Sequence, residues 1–135
     1  MKIMINIPVP HDCELTQVEK FYKEILFFYD DPDYYVGFRN LSLPPEVTVR
    51  FVHDKCFVKR ESDDCVPIFE CHIEKNFLSF CDALHKKNVK FLMVLPHPGG
   101  YYAKFLDPVG NSIGIICDSF DEDTQGIDIG EWMPR

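Results

Sequence analysis

The stretch that most constrains the fold is FLDPVGNSIGII, residues 105–116. Phe105 closes one apolar run, and Asp107-Pro108 opens a turn. Proline fixes φ, and an aspartate side chain can accept from the backbone two residues on. Gly110 and Asn111 supply residues that tolerate φ > 0 in a short hairpin. From Ser112 to Cys117, Ile113 and Ile115 alternate with small or polar positions, the period of a half-buried strand. The stretch therefore predicts two antiparallel strands joined by a tight turn.

The rest of the chain organises around that hairpin. Lys2 to Val9 reads as a strand with Ile3, Ile5 and Ile7 on one face and Met4 and Asn6 on the other. Thr16 with Glu19 makes a capping-box pattern. Val18, Phe21, Tyr22, Ile25 and Leu26 then recur at helical spacing. Phe27–Asp30, Tyr34–Arg39 and Glu46–His53 read as strands, so residues 1–54 form a β-α-β-β-β module. Residues 55–65 are charged and aperiodic, a linker. Residues 66–117 repeat the order: a strand over Pro67–Ile73, a helix capped by Asn76 with Phe77, Phe80, Cys81 and Leu84 on its apolar side, and a strand over Val89–Leu95. A Pro/Gly loop over Pro96–Gly100 and the hairpin of Tyr101–Leu106 and Ser112–Cys117 complete it. Residues 118–135 form an acidic tail whose default reading is a frayed end, while Ile127, Ile129 and Trp132 point to docking on this domain or on a partner.

With 135 residues, the chain fits one domain and can bury about two-thirds of its unfolded surface without a metal or disulfide. Its formal charge of −8 and lack of a basic block exclude a nucleic-acid surface. No apolar run long enough to span a membrane and no signal-peptide pattern is present, which predicts a cytoplasmic protein with no membrane partner. The six cysteines contain no CxxC pair and are expected as reduced thiols rather than a disulfide framework.

Two motifs carry a family resemblance. Asp-Pro-x-Gly-Asn, preceded by an aromatic residue and followed by an apolar strand, resembles the C-terminal signature of the glyoxalase/bleomycin resistance protein/dioxygenase (vicinal-oxygen-chelate) superfamily. Residues 18–27, VEKFYKEILF, resemble that superfamily's first helix. The resemblance covers residues 1–117. It implies an α+β fold of two βαβββ modules whose curved mixed sheets enclose a cavity, often across a homodimer. In metal-dependent members, His and Glu on the first and last strands of each half hold a divalent ion. Imidazole and carboxylate suit such metals, and open positions chelate two vicinal substrate oxygens.

The matching positions here carry other residues. They are Met4 and Asn6 on the first strand, Thr48 and Arg50 on the fourth, Ile68 with Glu70 and His72 beyond it, and Gly114 on the last. The resemblance thus predicts no cofactor and a homodimer that binds a small molecule, with no catalytic residue assigned. Asn6, Arg50, Glu70, His72, Tyr102 and Lys104 are the polar candidates on the cavity side. In bleomycin-resistance-like relatives an acidic, aromatic groove captures cationic drugs, with which the negative charge is compatible. The alternative is a lyase, isomerase or dioxygenase with a divalent metal relocated to Glu70, His72 and Asn6. A third reading is an interaction module working through its tail. A one-residue slip in strand register would exchange every cavity and core assignment.

Overall fold

The computed structural model describes residues 3–26, 28–30, 39–43, 47–62 and 64–120. The chain divides into two compact units, residues 1–59 and 60–135. In the first, β1 (Ile3–Pro10), α1 (Leu15–Glu24), β2 (Tyr29–Asp30), β3 (Arg39–Leu43) and β4 (Val47–Asp54) form a sheet of order β1-β4-β3-β2. Only the β1–β4 pair is parallel. Its register sets Ile5 beside Val49 and Ile7 beside Phe51, and Asn6 beside Arg50 on the opposite face. Tyr22 of α1 lies 5.1 Å from Phe51, centroid to centroid, so the helix covers the Ile7–Phe51 face. Val18, Tyr22, Val49 and Phe51 are almost wholly buried there, at roughly 1.5–3 kcal/mol per large apolar side chain.

The second unit repeats the plan with β5 (Phe69–His72), α2 (Phe77–Lys86), β6 (Phe91–His97), β7 (Gly100–Leu106) and β8 (Ser112–Cys117). The order is β5-β8-β7-β6, with β5 and β8 parallel. Tyr101, Ala103 and Phe105 align with Cys117, Ile115 and Ile113. The Phe77 ring stacks on Tyr101 at 5.1 Å, so α2 covers that face. The other face carries Glu70, His72, Tyr102, Lys104 and Gly114, as alternation requires.

Several local expectations are revised. Thr16 does not cap α1: the turn closed by Cys13 N–H on the Pro10 carbonyl (3.0 Å) brings the chain in so that Leu15 is already helical, with Glu14 at the cap and no side-chain bond. Asn76 does stand at the α2 cap, but by its left-handed backbone (φ 61°) and not by a side-chain bond. The expected Pro96–Gly100 loop shrinks to two residues, because β6 runs to His97. Gly99 N–H donates to His97 Nδ1 (3.1 Å), and His97 Nε2–H donates to the Cys117 carbonyl (3.1 Å). The ring thereby fastens the β6–β7 turn to the end of β8. The expected strand over 34–39 falls outside the described residues apart from Arg39, as do Ile127, Ile129 and Trp132. All six cysteines are free. No helix among the described residues is long and apolar enough to cross a membrane.

The α2 C-terminus gives a first prediction. Asn88 N–H donates to the His85 carbonyl (2.9 Å) and Val89 N–H to that of Leu84 (3.1 Å), with Asn88 at φ 65°. This is a Schellman closure, and Val89 and Leu84 supply its buried apolar contact. Because the left-handed conformation strains any residue with a Cβ, Asn88→Ala should cost about 1 kcal/mol. Asn88→Gly should gain a few tenths. Urea midpoints read both signs.

Candidate functional site

The open face of the second unit is built by three adjacent strands. Glu70 of β5 and Lys104 of β7 flank Gly114 of β8 in register, and the next row along sets His72 and Tyr102 either side of Ile116. Gly114 is the centre of this arrangement. A Cβ built on it would lie 2.8 Å from Glu70 Cγ, 3.2 Å from Glu70 Oε2 and 3.0 Å from Tyr102 Oη. The carboxylate of β5 and the phenol of β7 therefore both lean into space that any other residue at 114 would fill. Burial, and then the negative charge of Glu70, push the Tyr102 hydroxyl above its ordinary pKa. Tyr102 keeps its proton beside a carboxylate, an acceptor next to a donor.

His72 lies at the C-terminal end of β5, and its Nε2 is 2.8 Å from Asp118 Oδ2. With Nε2–H donating to the carboxylate, Nδ1 faces outward. Both side chains are more than half exposed. The sequence pattern places Asp118 at the start of the acidic tail, and the structure brings it to the candidate site. The signal was nevertheless available: parallel strands end at the same edge, so the residue after β8 meets the last residue of β5. Ser119 Oγ–H donates to the Glu74 carbonyl (2.8 Å), which holds Asp118 in place.

Lys104 has its stem on this face but is buried, and its ammonium donates to the Cys65 carbonyl at 2.7 Å. It thereby ties the segment before β5 to β7. Asn6 and Arg50 pair on the open face of the first unit, with Asn6 exposed, Arg50 half-buried, and Met4 and Thr48 in the next row. Cys71 faces the opposite way from Glu70, and burial pushes its thiol up to about 11, which leaves it unreactive at neutral pH.

No family model and no curated protein matches the sequence. Solved structures do. A protein assigned to the glyoxalase family from Bacillus anthracis superposes with a TM-score of 0.69 at 15% identity, covering 88% of this chain and 95% of that one. A lactoylglutathione lyase from Agrobacterium tumefaciens gives 0.62 at 12% identity, covering 93% and 96%. TnmS3, an antibiotic-binding protein from Streptomyces, gives 0.61 at 19% identity, covering 88% and 98%. The fold is that of the glyoxalase/bleomycin-resistance (vicinal-oxygen-chelate) superfamily.

The divalent ion this fold implies does not suit the residues present. The positions matched to ligands are Met4, Thr48 or Arg50, Ile68 and Gly114, none of them an imidazole or a carboxylate. His72, two same-face positions beyond Ile68 at the end of β5, already bonds Asp118. Among the described residues no three of His, Cys, Asp and Glu come together closely enough to share an ion. The second unit of this chain carries a carboxylate, a phenol and an imidazole on one face of its sheet.

Proposed function

We propose that the protein is a metal-independent small-molecule-binding protein that works as a homodimer. Its ligand lies against the open face of the second unit at Glu70, His72 and Tyr102, with Lys104 as support; Asn6 and Arg50 form a separate polar row on the first unit. The observation that carries this reading is the convergence of Glu70 and Tyr102 over Gly114. With no side chain at Gly114, two polar side chains from the neighbouring strands cover its backbone and occupy the space a side chain there would take. An antibiotic-binding protein among the structural neighbours supports binding as a use of this fold. The net charge of −8 favours a cationic or neutral ligand over an anionic one.

The test is a thermal-shift and ligand-observed NMR screen of cationic and aromatic small molecules on tag-free protein. Metal content by elemental mass spectrometry and mass by sedimentation accompany it. A true ligand at a hundred times its Kd should stabilise the protein by about 2.7 kcal/mol. Glu70→Ala and Tyr102→Ala should abolish that shift without loss of fold. Near one tightly held ion per chain, lost in Glu70→Ala and His72→Ala, would overturn the reading in favour of a metal-dependent lyase, isomerase or dioxygenase.

A further inference from the structure

We infer that Asp64–Pro67 is a strap closed over one end of the open face, latched by the Lys104 ammonium, and that it opens as a local motion while the second unit stays folded.

Strand alternation puts Ser112 on the same face as Gly114, two residues earlier on β8. Ile68 N–H donates to the Ser112 carbonyl (2.9 Å), so the chain enters β5 directly beside it. At this end of the face the Lys104 ammonium, carried by β7, donates to the Cys65 carbonyl at 2.7 Å. Because β8 lies between β7 and β5, this bond joins the segment leading into β5 to a strand that is not its neighbour. Among the described residues, the other bonds of Asp64–Pro67 run to nearby positions in the chain. Asp64 N–H donates to Ser62 Oγ (3.2 Å), Cys65 N–H to the Ser62 carbonyl (3.1 Å) and Arg60 Nη1 to the Val66 carbonyl (3.1 Å). Lys104 is therefore the latch.

The balance of burial favours opening. No residue from Asp64 to Ile68 is fully buried, and Val66 is 72% exposed, so lifting the segment uncovers little apolar surface. The closed form also carries a defect. Ser112 Oγ is wholly buried with no hydrogen-bond partner among the described residues. An unpaired buried hydroxyl favours any state in which water reaches it. Lys104 is 5% exposed, and opening hydrates its ammonium as well, so the bond to Cys65 is exchanged for bonds to water. The ends of the strap stay fixed, one by Ile68 on Ser112 and the other by Arg60 N–H on the Gly110 carbonyl (2.7 Å). Closed, the open face stops at the row of Gly114; open, it gains a hydroxyl and an ammonium one row along. As control of a ligand face this rests on the binding reading above, whereas the motion itself does not.

Acetylation of Lys104 by the N-hydroxysuccinimide ester of acetic acid, located by peptide mass spectrometry, reads the open state, with exposed Lys90 as reference. Iodoacetamide in parallel samples reads global unfolding, because Cys81 and Cys117 are buried. In wild type, Lys104 should acetylate more slowly than Lys90 but well before either cysteine alkylates. Ser112→Ala removes the unpaired hydroxyl from the closed form and should slow Lys104 about fivefold. Pro67→Gly loosens the strap and should speed it about threefold. Lys90 should keep its rate in both. Lys104 acetylation that is unchanged in both variants, or that proceeds only in step with Cys81 and Cys117, overturns the strap. A variant that fails to fold is revealed by those cysteines, and the other then decides by the same criterion. No ligand is present in any sample, so failure here leaves the binding reading standing, and an empty ligand screen leaves the motion standing.

Discussion

Gly100→Val should be the most damaging single substitution in the second unit, at about 3 kcal/mol or more. A Cβ built on Gly100 would sit 2.1 Å from the Cys117 carbonyl oxygen, 2.9 Å from its carbon and 2.8 Å from Ser119 N. All three are backbone atoms, so no side-chain rotation relieves the overlap. Relief requires the start of β7 to move from the end of β8, breaking the Tyr101–Cys117 pairing and the His97 bond to the Cys117 carbonyl. Overpacking into backbone exceeds the usual 1–3 kcal/mol of a crowded core. The adjacent Gly99 is the control. Its Cβ would meet only the His97 ring, at 3.5 and 3.7 Å, which is ordinary contact. Thermal melts should therefore show Gly100→Val, and less severely Gly100→Ala, far below wild type, and Gly99→Ala within about 2 °C of it. Equal melting temperatures for Gly99→Ala and Gly100→Ala would sink the argument.

How much of this was legible in the sequence depends on the range of the interactions. Alternation along β8 puts Ile113 and Ile115 on the face under α2 and Gly114 on the other, because a strand's period is two, while burial runs along both faces from Ser112 to Ile115. The same rule placed Tyr102, Lys104, Glu70 and His72 on that face, and Asn6 and Arg50 on theirs. The apolar stripes of both helices were equally plain. What the pattern could not carry was partner choice. Nothing local says that the Lys104 ammonium spends itself on the Cys65 carbonyl, or that Asp118 turns back to His72 across a parallel pair. Nor does periodicity give the length of a turn. His97 reads as a loop residue until its two ring nitrogens are seen to replace the backbone bonds a longer loop would have made. The Gly114 site was half legible: the missing side chain was in the sequence, but the two oxygens leaning over it were not.

The other large effect lies in the Asp107–Asn111 turn, which Asp107-Pro108 and Gly110-Asn111 announce in the sequence. Asp107 Oδ1 accepts from the backbone N–H groups of Val109 (3.0 Å) and Asn111 (2.9 Å), and Oδ2 accepts from Asn111 Nδ2 (2.9 Å). The backbone adds Asp107 N–H to the Asn111 carbonyl (2.8 Å), and Gly110 takes φ 96° to close the turn. Asp107 and Asn111 are buried, so water cannot replace the carboxylate cheaply. Asp107→Ala strands three donors at once. Hydrogen bonds to a charged acceptor contribute roughly 1.5–3 kcal/mol each and are not additive in one cluster, so a loss of about 3–4 kcal/mol is expected. Asp107→Asn keeps an oxygen for the two backbone donors and sets an amide against Asn111, which can turn its own amide to accept. Its loss should stay near 1–2 kcal/mol. The turn also sets the register that brings Lys104 beside Gly114 and Tyr102 beside Ile116, so a hairpin that slips carries Tyr102 away from Glu70. Urea unfolding of both variants measures the stability ranking. The slip predicts that Asp107→Ala, under conditions where it remains folded, also loses the elevated ionisation of Tyr102 in a spectroscopic pH titration. Asp107→Ala within about 1 kcal/mol of wild type, or Asp107→Asn no better than alanine, would show that the side-chain bonds do not hold this turn.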